Sequence, residues 1–209
     1  IGRVEVTGEC TPLDLSALIA TEGQAAQWEG ALRRALAPRK RFLQSLRGPL
    51  MPEPVAQIGA LPVVIGAGRP LLLTGEAPSV SIPVGRVAAQ VVFLGQVSLV
   101  NGYPLGGAYG EEVARYTLVY GDGSRQPVTL RNGLELASAG TIYLHSRIDP
   151  RAARAERVLH IQVDPDWKEA YQVLALTAEA DRGRRLERIE FELLNPAYVP
   201  LLYGVTLAG

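Results

Sequence analysis

Four aromatic side chains lie among loop residues, where a planar ring is free to do binding chemistry. Tyr103 and Tyr109 belong to the glycine-rich stretch 101–110, Trp167 follows Asp164-Pro165-Asp166, and Tyr198 follows Asn195-Pro196. A pyranose offers an apolar C–H face that stacks on such a ring while polar groups at the rim take its hydroxyls. These four are the candidate ligand-binding residues, and each equally suits a loop aromatic tucked onto a core.

The other chemically suggestive groups are weaker. Two acid pairs, Glu111 with Glu112 and Glu190 with Glu192, invite comparison with a glycosidase, which needs two carboxyls several ångströms apart across a sugar bond. Glu190 and Glu192 alternate with Ile189, Phe191 and Leu193, the pattern of an outward sheet face, and this accounts for them without catalysis. His145 and His160 are the only histidines, both between strand-forming neighbours. Asp122, Asp149, Asp164, Asp166 and Asp181 fall in loops, and hard cations want several such oxygens; a structural calcium is the one ion they would suit, with Asp164 and Asp166 the most suggestive pair. Solvated turn carboxylates explain the same residues. Val63 to Pro70 imitates the start of a dinucleotide fingerprint, but Leu71 stands at the third glycine position and no helix follows. Ser16, Ser98 and Ser138 lack a nucleophile elbow, and Cys10 lacks the flanking pattern of a catalytic thiol. No catalytic residue is assigned, and no cofactor is expected.

The totals restrict the classes further. The chain has 209 residues, 47% of them hydrophobic, enough for one large all-β domain or a smaller one with a helical appendage. Its 21 basic and 21 acidic residues cancel, which argues against nucleic acid or a polybasic membrane patch as partner. A lone cysteine excludes an internal disulfide and a cysteine-based zinc site. The longest apolar runs fall far short of the roughly 20 residues of a membrane span, so no membrane insertion is expected. The chain opens on Ile1 without a signal-peptide pattern, so the expectation is a piece of a longer or processed polypeptide.

The elements that must position these groups are mostly strands. Val91, Phe93, Val97 and Leu99 share one period-2 face of a long strand, interrupted at Gly95, and Val113 to Tyr120 carries β-formers on both faces, as a central strand does. Gly121-Asp122-Gly123-Ser124 supplies the positive-φ residues of a tight hairpin before the return at 126–130. Further strands are expected at 3–7, 61–65, 70–74, 79–84, 141–145, 157–163, 170–177, 186–194 and 202–207, spaced like an antiparallel sandwich. Residues 149–156 read as a helical turn. Thr11 to Ser16 reads as a turn with a helix cap at Asp14 or Ser16. Residues 24–47 show helical spacing through Trp28, Leu32 and Leu36, split near Pro38, and 48–54 reads as a proline-rich linker.

Three places in this order of motifs resemble a known family. They are Ile82-Pro83-Val84-Gly85-Arg86 leading into Val92-Phe93-Leu94, then Glu112 through Ser124, and finally Leu186 through Glu192 with Asn195-Pro196 and Tyr203-Gly204-Val205-Thr206-Leu207. Together they resemble the galactose-binding-like β-sandwich, or jelly-roll, domains attached to bacterial glycoside hydrolases and large surface proteins. Thr11 to Ser16 looks like that family's opening strand. The resemblance implies an all-β antiparallel sandwich spanning residues 1–209 as a single domain, with 21–54 a helical insertion and linker near the N-terminus. Where many relatives carry a histidine and a tryptophan after the Phe-Leu of the first core strand, this chain has Gly95 and Gln96, and a Gly-x-x-x-Trp-Trp pattern is replaced by Gly133 to Ala137. The resemblance therefore implies fold first and sugar binding as one role of an accessory module.

The expected function is a non-catalytic accessory module of a larger, exported bacterial protein, with carbohydrate or neighbouring domains of the same polypeptide as partners and an extracytoplasmic or secreted location. The alternatives are a structural domain that packs on a catalytic neighbour through its Trp28 to Leu46 helical face, and a hydrolase in its own right.

Overall fold

A computed structural model describes residues 2–34, 55–65, 70–100, 108–140, 148–164 and 169–209. In chain order these form β1 (Cys10–Leu13), α1 (Ser16–Ile19), α2 (Glu22–Arg34), β2 (Val55–Ile58), β3 (Leu61–Ile65) and β4 (Leu71–Leu72). There follow β5 (Ser79–Val87), β6 (Gln90–Gly95), β7 (Val97–Val100), β8 (Glu112–Tyr120), β9 (Arg125–Arg131) and β10 (Ala137–Ser138). The chain closes with β11 (Glu156–Asp164), β12 (Glu169–Glu179), β13 (Arg185–Leu193), β14 (Tyr198–Leu202) and β15 (Gly204–Ala208). The protein is all-β, with strand in 57% of the described residues, and its several antiparallel sheets are compatible with a β-sandwich. Among the described residues no helix is long and apolar enough to cross a membrane.

A five-stranded sheet, ordered β1-β15-β6-β12-β11, lies at the centre. Its middle strand shows why. On β6, Val91 and Phe93 face a core shared with β8 and β13, while Val92 and Leu94 face a second core shared with β3 and β7. A strand that buries both faces must be apolar throughout, and 91–95 is. The first core is closed by a four-stranded sheet ordered β5-β13-β8-β9. The second is closed by β2 and β3 together with a four-stranded sheet ordered β10-β7-β14-β4, in which only the β10–β7 pair is parallel. Three rings knit the first core across the sheets. Phe93 stacks on Tyr116 with centroids 3.8 Å apart and planes at 3°, and Tyr116 meets Phe191 at 4.8 Å.

The long strand expected from 91 to 99 is broken at Gly95 and Gln96, whose φ values are +151° and +46°. The break carries the chain out of the five-stranded sheet into β7 of another sheet, and the β14–β15 step at Tyr203 does the same in reverse. The two corners touch: Tyr203 N–H donates to Leu94 O at 2.7 Å, and a Cβ at Gly95 would lie 2.5 Å from Leu201 O. Glycine is required there by both dihedral and space.

The hairpin at 121–124 forms as its residues predict, with β8 antiparallel to β9, Gly123 at φ +83° and the Ser124 N–H donating to Asp122 Oδ1 at 2.9 Å. Other expectations shift. Residues 3–7 form no strand; Cys10–Leu13 does, pairing with β15, so Thr11 to Leu13 is the strand that the resemblance implies rather than the turn that its local residues suggest. Asp14 Oδ1 accepts the Ser16 N–H at 2.9 Å as α1 begins. Residues 149–156 make a turn into β11 and no helix, because their backbone is tied to Gly133 and Leu134 instead. The strand expected at 141–145, the linker at 48–54, the Gly66 to Arg69 turn and the helical residues beyond Arg34 lie outside the described residues.

Candidate functional site

Of the four aromatic candidates, Tyr103 and Trp167 lie outside the described residues. Tyr109 stands in the turn before β8 with 67% of its surface exposed, its ring so close over Gly133 that a Cβ there would fall 2.5 Å from ring carbon Cδ2. Tyr198 is different. It starts β14 with no exposed surface, packs in the Phe93 core, and its hydroxyl donates to Glu111 Oε2 at 2.9 Å. Burial first, and then the neighbouring Glu111 carboxylate, push this phenol above its ordinary range. Tyr198 thus offers no face to solvent and instead positions Glu111, which also accepts from Asn195 Nδ2 at 2.8 Å and from Ala108 N–H at 2.9 Å.

Glu111 belongs to a set of three loops laced together by polar side chains. Asn132, fully buried, donates from Nδ2 to Ala108 O at 3.0 Å and accepts the Asp149 N–H on Oδ1 at 2.9 Å. The Gly133 position, at φ +81°, then reverses the chain toward β10. Two backbone bonds hold the 148–155 loop on this turn: Ala153 N–H to Gly133 O at 3.0 Å and Arg154 N–H to Leu134 O at 2.7 Å.

Those ties bring two arginines onto one carboxylate. Glu135, its side chain only 8% exposed, accepts Arg131 Nη2 at 2.6 Å and Arg154 Nη1 at 2.9 Å on Oε1, and the Arg131 backbone N–H and Nε, each at 3.1 Å, on Oε2. Burial opposes ionisation of this carboxyl, but the bonds from Arg131 and Arg154 outweigh it and hold Glu135 below the usual carboxylate range.

Arg131, Glu135 and Arg154 line an open cleft of about 570 Å³ between β9 and the end of β12. Its walls arise from the sheet topology. On one side β9 is an edge strand; on the other, β12 continues past β11, whose register begins at Glu156 opposite Ala175, so Leu176 to Glu179 pair with β6 alone. Glu112, Gln126, Thr129, Thr177 and Glu179 complete the polar lining over an apolar floor that includes Val128 and Leu176. Gln126 closes one end: its Nε2 donates to Glu179 O, and its Oε1 accepts the Tyr120 hydroxyl, each at 2.8 Å. The volume falls in the range of small-ligand sites, and Arg131, Arg154 and Gln126 are held by hydrogen bonds within the lining before any ligand arrives.

The remaining candidates resolve into structure. Glu190 pairs with Arg125 and with Arg188, and Glu192 with Arg115, on the outer face of the β5-β13-β8-β9 sheet. Asp122 and Asp181 share Arg184, joining the β8–β9 and β12–β13 turns. His160 is on β11, while His145 and Asp166 lie outside the described residues. Among the described residues no group of three or more His, Cys, Asp or Glu comes together to hold a metal ion. Compared with known proteins, the chain matches no protein-family model and no curated protein.

Proposed function

We propose that this chain is a non-catalytic accessory β-sandwich module, of the galactose-binding-like jelly-roll type, that binds carbohydrate for a larger exported bacterial protein. One observation carries the reading: the open cleft between β9 and β12, whose lining mixes fixed hydrogen-bond donors with acceptors over a thin apolar floor. A polyhydroxylated ligand needs that mixture, because each hydroxyl both donates and accepts. Exposed Tyr109 lies against Gly133, two residues from Glu135, and supplies a ring beside the same turn. The module supports its protein by holding it on a glycan; the other two candidate aromatics, Tyr103 and Trp167, lie outside the described residues.

The test is a glycan array with the whole chain, followed by calorimetric titration of any hit. Saccharide binding that weakens at least several-fold in Tyr109→Ala, with the urea midpoint unchanged, supports the reading. An array without hits overturns it, and so does turnover of aryl glycosides by the purified chain.

A further inference from the structure

The cleft carries a charge pattern that bears on which glycan it takes, and the inference rests on the carbohydrate reading above. We propose that the cleft selects neutral saccharides bearing vicinal hydroxyls over uronic-acid saccharides, with Arg131 and Arg154 as its specificity-determining residues and Glu135 as the group that positions them.

Glu135 is the starting point. Its two oxygens already accept four N–H groups, three from Arg131 and one from Arg154. It has little capacity left for a ligand, and it is buried. Its work is to fix two planar guanidiniums at one place in the cleft. Nη1 of Arg131 and the Nε and Nη2 of Arg154 make no hydrogen bond among the described residues. A guanidinium edge presents donors in a rigid fork matched to two neighbouring oxygens, and a vicinal diol supplies such a pair. Fixing the fork beforehand removes the ordering cost that a free arginine would add to binding.

The charge of the lining decides between neutral and acidic sugars. Two arginines face three carboxylates, Glu112, Glu135 and Glu179. A uronate would bring a further negative charge into a lining that already holds one carboxylate more than it holds arginines. A neutral ring meets no such penalty, and the exposed Glu112 and Glu179 accept its hydroxyl hydrogens. The hydroxyls of Thr129 and Thr177 add groups that donate or accept on opposite walls. Gln126 and Arg131 are five residues apart on β9, about 17 Å at strand rise, so the cleft has the length of an oligosaccharide rather than of one ring.

Calorimetric titration of the whole chain tests this with two panels: neutral gluco-, galacto- and manno-oligosaccharides, and oligogalacturonates. The expected result is binding from the neutral panel alone, weakened at least tenfold by Arg154→Ala and by Arg154→Lys alike, and abolished by Thr177→Arg, which fills the cleft. Thr177 is exposed, so the urea midpoint of Thr177→Arg should match the parent, whereas Arg154→Ala removes one of the four N–H groups on Glu135 and should lower the midpoint while keeping a single cooperative transition. Tighter binding of oligogalacturonates, sensitive to Arg154→Ala, would overturn the neutral preference while leaving the carbohydrate reading intact. Neutral binding indifferent to these substitutions would place the site elsewhere and overturn the inference alone. No binding from either panel overturns the reading on which it rests.

Discussion

Gln24 closes the free edge of β4: its Nε2 donates to Leu72 O and its Oε1 accepts the Leu72 N–H, both at 3.0 Å. On its other side β4 pairs with β14, so the side-chain amide occupies the two bonds that one more strand would make. Gln27 reinforces the seat by accepting the Thr74 hydroxyl, which fastens α2 to the sheet through amides.

Gln24→Ala should therefore orphan a buried N–H and a buried C=O together, at a cost of about 2–4 kcal/mol. Urea denaturation measures it, and amide exchange at Leu72 should rise in parallel. An unchanged midpoint would mean that water replaces the glutamine and that the edge is open.

At the corner between β6 and β7, Gly95→Ala should be among the most damaging single changes. The new methyl meets Leu201 O at 2.5 Å and Leu202 Cα at 3.0 Å, and the +151° dihedral is unsuited to a side chain. Left-handed strain and the clash together predict a loss of about 3 kcal/mol or more. Thermal unfolding of the variant decides, and a melting temperature within a degree or two of the parent would refute the tight corner.

The Glu135 cluster makes stability depend on acid in a definite window. Its carboxyl ionises below the ordinary glutamate value, so the stability it contributes is complete above pH about 4.3 and is lost as pH falls through the lower folded value. Glu135→Gln should cost about 1–3 kcal/mol at pH 7, where it leaves arginine donors less well matched. The gap between parent and variant urea midpoints should stay constant from pH 7 to pH 5 and narrow below pH 4. A gap that widens with acid would contradict the arrangement.

Tyr116, Tyr198 and Tyr203 are each pushed above the ordinary phenol range, chiefly by burial. In the native protein these three of the eight tyrosines should stay protonated through pH about 10, the ordinary value, while the unfolded chain titrates all eight. Raised folded values mean that the stability they contribute is full below pH 10 and drains away as pH rises beyond it. Absorbance titration at alkaline pH reads both effects; full ionisation of every tyrosine without unfolding would argue against the buried hydroxyls.

What could be read along the chain was local. Val113 to Tyr120 declared a central strand, and β8 does sit between β13 and β9. Glu190 and Glu192 declared an outward face, where they meet arginines. The cleft was not legible. Arg131 and Glu135 stand four residues apart, which is a weak signal for a contact, and Arg154 joins them only because Gly133 and Leu134 accept bonds from its loop. Tyr198 looked like a loop aromatic because Asn195-Pro196 precedes it, whereas its partner Glu111 is 87 residues away.

By itself the sequence determined that this chain is built from strands joined by tight turns, and where the sharpest reversal falls, because side-chain alternation and positive-φ glycines act over a few residues. Only the tertiary structure decided that residues 91–99 divide between two sheets, that β12 outruns β11 to leave a cleft, and that two arginines converge on one buried carboxylate. Those outcomes depend on which distant strands pair and which charges become buried together, and that is settled by the whole packed chain rather than by any local pattern.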